Sequence, residues 1–351
     1  MNSSASKDMA AKVRGSSDSD MTPTATTASN YRTTPFDNGY EFPPKHTWQQ
    51  DTVIGLKSFW KFTCTWLGFS IVVYGLNVVA WGGMLFLLLC NASPAMCYPT
   101  CEDDNSPRKV WLEISCQILT ALFCVTAFGL IPWRFRDFWY LLKFRIQNDE
   151  LALRRLGGIH RGWFRLEGSQ NLPSQLGPEN VETEFFGHPE TSVPFPLTSI
   201  PDAPLTGLRA PATATWKLDF VIWMFVWNTF LQVVLCGLMW GFNRLNRPSW
   251  STGLFVALGC LVAIFAGLLQ FVEGKKIKAI EGVPVSPEDV EVLKRDREMG
   301  VLHYNNIKDE KPKEKKQKQM HSLIGGKKEK QIEAIQLTEN VSQSTGHEVV
   351  R

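Results

Sequence analysis

The segment WKLDFVIWMFVWNTFLQVVLCGLMWGFNRLNRPSWSTGLFVALGCLVAIFAGLLQFV (216–272) holds two long apolar runs joined by a short polar turn. No charged residue lies between Phe220 and Gly241, or between Trp250 and Val272. An α-helix needs about 20 apolar residues to cross the hydrocarbon of a bilayer, so each run reads as a transmembrane helix. Two further runs occur upstream, one uncharged from Trp66 to Cys90 and one carrying Glu113 near its start. The chain therefore reads as an all-α, polytopic membrane protein with four transmembrane helices, over about 66–90, 111–132, 219–241 and 250–272.

A mean hydropathy of −0.11 over 351 residues hides these spans, because very polar ends offset them. The net charge of +3 is equally uninformative as a total, and its distribution matters more. Residues 1–58 read as a disordered cytosolic tail, Ser- and Thr-rich at its start. Residues 59–275 read as the membrane domain with a cytosolic loop over 133–218, in which the Pro-, Gly- and Ser-rich stretch 168–212 reads as a linker. Residues 276–351 read as a lysine-rich cytosolic tail containing KPKEKKQK (311–318) and GGKKEK (325–330). The N-terminus has no apolar core of a cleaved signal, so the first span is taken as its own insertion signal.

Basic residues near span ends favour the cytosolic side. Lys57 and Lys61 precede the first span, Arg134, Arg136, Lys143 and Arg145 follow the second, and Arg209 and Lys217 precede the third. Lys275, Lys276 and Lys278 follow the fourth, against Arg108, Lys109, Arg244 and Arg247 on the other side. Both termini are thus expected in the cytosol, in the plasma membrane or endoplasmic reticulum. Trp60, Trp66, Trp111, Trp133, Trp216, Trp240 and Trp250 edge the spans, where an indole satisfies its apolar body and its N–H together.

The loop CNASPAMCYPTCEDDNSPRK (90–109) places Cys97 and Cys101 before three acidic residues. In an oxidising compartment these two cysteines suit a small disulfide loop, although spacing alone does not fix pairing. A metal site there lacks histidine and a second cysteine pair, so none is expected. The other cysteines read as small packing residues. Asn91-Ala92-Ser93 abuts the span end and is expected to stay unglycosylated.

Within the spans, Glu113 and Gln117 share one helical face with Thr120 and Cys124, and Asn228 and Gln232 share another. Polar groups in lipid face other helices or a wet cavity, so these residues mark either interhelical hydrogen bonds or an ion path. Gly259, Ala263 and Gly267 form a small-residue stripe suited to helix packing or to a homo-oligomer.

The most distinctive polar stretch follows the second span. Over 134–147, Phe135, Phe138, Trp139, Leu142 and Ile146 fall on one helical face, with Arg134, Arg136, Lys143 and Arg145 around the remainder. This pattern reads as an interfacial amphipathic helix on anionic inner-leaflet lipids, with Arg154 and Arg155 extending the positive surface. Membrane attachment accounts for these charges, so nucleic acid is not expected as a partner.

No catalytic constellation emerges. His46 and Asp51 have the His-x4-Asp spacing of glycerolipid acyltransferases, but no companion glycine-rich or Pro-Glu-Gly motif follows. A phosphate-binding glycine loop, paired intramembrane aspartates and a His-Glu-x-x-His motif are all missing. The expectation is a protein that is not an enzyme and needs no cofactor.

Five stretches, WGGMLFLLLCNASPAMC (81–97), FCVTAFGLIPWRFRDFWYLLK (123–143), GIHRGWFRL (158–166), WKLDFVIWMFVWNTFLQVVLCGLMWG (216–241) and RPSWSTGLFVALGC (247–260), carry a resemblance. Over roughly 60–275 the chain resembles a fungal family of integral membrane proteins known as domain of unknown function 2985. The resemblance implies a fungal source and a four-span core, and carries no activity. The function expected from these residues is that of a non-enzymatic membrane organiser with a basic, lipid-facing cytosolic loop. The alternative is a small transporter or channel subunit using the intramembrane polar residues.

Overall fold

The computed structural model describes residues 33–185 and 187–311; the Ser- and Thr-rich start and the lysine runs from 312 onward lie outside the described residues. Within those described, nine α-helices and no strands occur. They are α1 (Trp48–Thr63), α2 (Trp66–Leu89), α3 (Pro107–Gly129), α4 (Ile131–Gln147), α5 (Glu150–Ile159), α6 (Val181–Glu184), α7 (Thr215–Gly241), α8 (Ser249–Glu281) and α9 (Pro287–Glu298).

Helices α2, α3, α7 and α8 are long and apolar enough to cross a membrane. Their order of packing is a row, α2 on α3, α3 on α7 and α7 on α8. Much of the surface of α2 and α8 consequently faces outward, as a lipid-facing surface must. At 1.5 Å per residue the 33 residues of α8 run about 50 Å, well beyond the roughly 30 Å hydrocarbon. Its last turns leave the membrane and enter a folded cap.

Local chemistry sets the breaks. Pro132 sits in the first turn of α4, where it lacks the N–H that would continue α3, so the two helices are divided at Leu130. Asn148 takes the left-handed conformation (φ 52°) that ends α4, and the Asp149 carboxylate caps α5 by accepting from the Leu151 and Ala152 N–H groups. Thr47 and Gln50 form a reciprocal capping box that starts α1.

The cap draws on the basic segment beyond the second span, on the expected linker and on parts of both expected tails. Leu141, Leu156, Trp163, Phe164 and Leu166 bury against Leu218, Val221 and Ile222 of α7 and Ala266 of α8. The stretch 168–212 is folded, with Leu172, Leu176, Val181, Val193 and Ile200 forming a second cluster. Its prolines shape turns around apolar side chains, and burying that apolar surface overcomes the cost of ordering the loop. Arg209 secures it by donating to Pro173 O at 3.0 and 3.1 Å and to Leu176 O. Desolvation by burial lowers the Arg209 pKa, against the opposing charge of Glu281.

Residues 33–58 likewise depart from the expected disordered tail. Phe36 and Phe42 are buried, and the Tyr40 hydroxyl donates to Val283 O (2.8 Å) while accepting from Val283 N (2.9 Å). Burial raises the Tyr40 pKa, partly offset by that backbone bond. Gly282 (φ +96°) is required at this crossing, since a Cβ there would lie 3.0 Å from both Leu205 Cβ and the Tyr40 hydroxyl. Asn305 accepts from Phe42 N and donates to Thr34 O, so the segment after α9 clasps the segment before α1.

His303 lies inside this clasp, 2.7 Å from Asp309 and 3.3 Å from Asp296. Desolvation opposes its charge, but the hydrogen bonds and attraction of Asp309 and Asp296 outweigh it and raise the pKa above the usual histidine value. Other charges at the clasp are Arg295 beside Asp296, the Glu41–Arg297 pair, and His46 beside Asp289. The His303 contribution is complete below pH about 6.5 and is lost as pH rises through the raised native pKa. The thermal midpoint is expected to fall across that window, and His303→Gln should flatten the difference when the two proteins are melted at matched pH.

Candidate functional site

Two groups of residues bear on function: the polar side chains inside the spans, and the basic aromatic segment beyond the second span. Inside the bundle, Gln117 Nε2 donates to Glu113 Oε1 at 3.0 Å, and Arg247 grips both Glu113 oxygens, at 3.1 Å to Oε1. Glu113 and Arg247 are both largely buried, so this ion pair fastens the α7–α8 connection to α3. Asn228 Nδ2 donates to Gly259 O at 2.9 Å, joining α7 to α8. Gln232 Nε2 donates to Thr120 O and lies 3.3 Å from Cys124 Sγ, which is itself 3.1 Å from Cys236 Sγ. All four of these intramembrane residues therefore make hydrogen bonds within the chain: Asn228 and Gln232 between helices, Glu113 to the α7–α8 connection and Gln117 within α3. They form seams rather than a continuous polar lining.

The small-residue stripe is divided. Gly259 lies against Asn228 and serves the α7–α8 contact, whereas nothing approaches Gly267 from within the chain. Only the lower part of the stripe is left for a second copy. Cys97 and Cys101 are joined in a disulfide, and no group of three or more potential metal ligands exists among the described residues.

The segment 134–147 is the helix α4, but its surroundings differ from those of a helix lying flat on a leaflet. Arg134 donates to Asn228 Oδ1 and Thr229 Oγ1 at 2.9 Å, Phe138 meets Trp223 edge-on at 4.9 Å, and Arg145 pairs with Asp219. These partners run backward along α7 as α4 runs forward, so α4 stands antiparallel beside the first half of α7. The expected apolar face is split accordingly. Phe135 and Phe138 turn to Phe230 and Trp223, while Trp139 and Ile146 remain exposed. Arg134 sits among neutral acceptors, and burial lowers its pKa.

The remaining basic residues have mixed roles. Arg136 binds its neighbour Asp137, Lys143 lies over Trp139, and Arg155 sits over Tyr140 and Phe195. Arg154 is only 9% exposed; it donates to Val193 O at 2.9 Å and pairs with Glu190. Its lipid-facing assignment is corrected: the loop that Arg154 was thought to precede as linker folds back and surrounds it. His160 Nε2 is 3.4 Å from Asp137 Oδ2 but out of alignment for a hydrogen bond.

A surface that sequence reading passed over is α1. Of its large apolar residues, Trp48, Val53, Leu56, Phe59 and Trp60 fall within one arc at 100° per residue, while Ile54 and Phe62 lie on the other side among Gln50, Asp51, Lys57, Ser58 and Lys61. No residue of α1 is buried, Trp48 is 82% exposed and Trp60 67%, and the helix touches the bundle chiefly through α2. The Thr-x-x-Gln capping signal at 47–50 and this arc were both present in the sequence.

Residues 61–144 match the model of the family described as Protein of unknown function (DUF2985). The match begins at the end of α1 and takes in α2, α3 and most of α4, a shorter reach than the resemblance expected over 60–275. No curated protein and no solved structure matches the chain.

Proposed function

We propose that this multi-pass membrane protein is a non-enzymatic membrane organiser that holds its folded cap against the anionic leaflet on the cytosolic side. The observation that carries the reading is α1, an amphipathic helix with an uncovered aromatic face joined directly to the first span. A bilayer interface satisfies both of its sides, the aromatic arc in the acyl boundary and Lys57 and Lys61 among the headgroups. Trp139 and Ile146 of α4 offer further exposed apolar side chains. A transport reading gains less support, because Glu113, Gln117, Asn228 and Gln232 are occupied by one another and by neighbouring backbone.

Hydrogen–deuterium exchange of the full-length protein in lipid nanodiscs tests this reading. Residues 48–63 are expected to exchange slowly, and more slowly with phosphatidylserine present than in phosphatidylcholine alone. Substituting Lys57 and Lys61 with Gln should remove the difference between lipids. Fast exchange of α1 in both bilayers would sink the proposal.

A further inference from the structure

At the end of the bundle away from the cap, the α7–α8 connection reaches α3 through the Arg247–Glu113 ion pair and the chain just before α3 through Arg244 and Asp104 O. Between this connection and the ends of α2, α3 and α8 lies an open cavity of about 580 Å³. Leu85 of α2, Leu112 and Cys116 of α3 and Val256 of α8 supply apolar walls, and four cations, Arg108, Lys109, Arg244 and Arg247, stand at its rim.

Two of those cations are neutralised. Lys109 pairs with Asp104 at 2.8 Å, and Arg247 with Glu113. The other two contact backbone oxygens: Arg108 donates to Leu88 O (2.9 Å) and Cys101 O (3.1 Å), and Arg244 to Asp104 O (2.5 Å). A guanidinium has five N–H donors, so each retains unused donors, and neither is in direct ion-pair contact among the described residues, although Lys109 and then Arg244 hold the Asp104 carboxyl below its usual range; the four cations outnumber the lining carboxylates Asp104 and Glu113 by two. An arrangement of two spare guanidiniums above apolar walls fits a ligand with an anionic head and a hydrocarbon tail. The planar fork of arginine matches phosphate oxygens two at a time.

We propose that this cavity binds an anionic phospholipid, its phosphate held by Arg108 and Arg244 and an acyl chain lying along α3 between α2 and α8. A free anion has no use for the apolar walls, and a neutral lipid none for the unpaired charge. The lipid reaches the site sideways from the bilayer, because α2 and α8 are largely uncovered by the rest of the chain.

The experiment is native mass spectrometry and thermal melting of the full-length protein in neutral detergent. It would be titrated with dioleoyl phosphatidic acid, with dioleoyl phosphatidylcholine and with inorganic phosphate. Phosphatidic acid is expected to bind and raise the melting midpoint, phosphatidylcholine to bind at least about tenfold more weakly, and inorganic phosphate to leave the protein unchanged. Arg244→Gln should weaken phosphatidic acid binding about fivefold, the factor for one basic contact near a membrane surface. Val256→Trp, which fills the apolar part and leaves every charge in place, should abolish binding without lowering the lipid-free midpoint. Equal binding of both lipids, binding of inorganic phosphate as tight as that of lipid, or parental affinity in both variants would overturn the site.

Discussion

Arg165→Ala is expected to destabilise the cap by about 3–5 kcal/mol, the usual result of removing one member of a buried ion pair. Arg165 donates through Nε to Glu281 Oε1 at 2.9 Å and through Nη2 to Oε2 at 2.6 Å, and the two side chains are only 7% and 11% exposed. Glu281 Oε1 also accepts from Ala210 N at 3.1 Å, Thr213 N donates to Arg165 O at 3.0 Å, and Arg165 N donates to Thr213 Oγ1 at 3.1 Å. One pair thus joins the end of α8, the segment before α7 and the strand of chain after α5. Without the guanidinium, Glu281 loses both of its bonds to Arg165 and keeps only Ala210 N and the charge of nearby Arg209. The loss should appear as rapid proteolysis within 160–214 at temperatures where the parent resists cleavage. Replacing both partners, Arg165→Met with Glu281→Leu, should recover part of the resistance, because the buried carboxylate is removed together with the guanidinium, while Arg209 loses the opposing charge of Glu281. An Arg165→Ala protein as resistant as the parent would show that the pair does not hold the cap together.

The second large effect concerns the stretch that looked like a linker. Leu176 is fully buried among Leu172, Val181, Val193 and Ile200, and truncating such a leucine costs about 2–5 kcal/mol, depending on how far the site collapses. Leu176→Ala should therefore lower the thermal midpoint and open 168–212 to protease, while leaving the four spans inserted. A true linker would register almost no change, so the experiment separates the two descriptions cleanly.

The spans were legible because a bilayer imposes a length and a composition on any helix that crosses it, and 216–272 meets both twice. Trp66, Trp111, Trp216 and Trp250 then marked their edges. The cap was not legible for a different reason. Leu172, Leu176, Val181, Val193 and Ile200 follow no 3.6- or 2-residue period, so nothing local distinguishes them from the sporadic apolar residues of a loop. Arg165 and Glu281 are 116 positions apart, and no pattern within either neighbourhood names the other. The aromatic and basic pattern of α4 is visible in the sequence, but periodicity cannot say whether a membrane or a neighbouring helix covers it. Helix α1 is the reverse case: its cap and its apolar arc were visible, and Lys57, Lys61 and the glutamines made it look like part of a polar tail.

The clasp between the start and the end of the chain has a consequence for synthesis. Phe42 N donates to Asn305 Oδ1 across 263 residues, with four membrane-crossing helices in between. At about 5–20 residues per second, roughly 13–50 s elapse on the ribosome between making one partner and making the other. Throughout that interval Phe36 and Phe42 lack their final surroundings, and for shorter periods within it Ala210 waits for Ile277 and Ile280, and Arg165 for Glu281. The cap is therefore the last part to assemble, and its completion reports that the fourth span has been made and threaded.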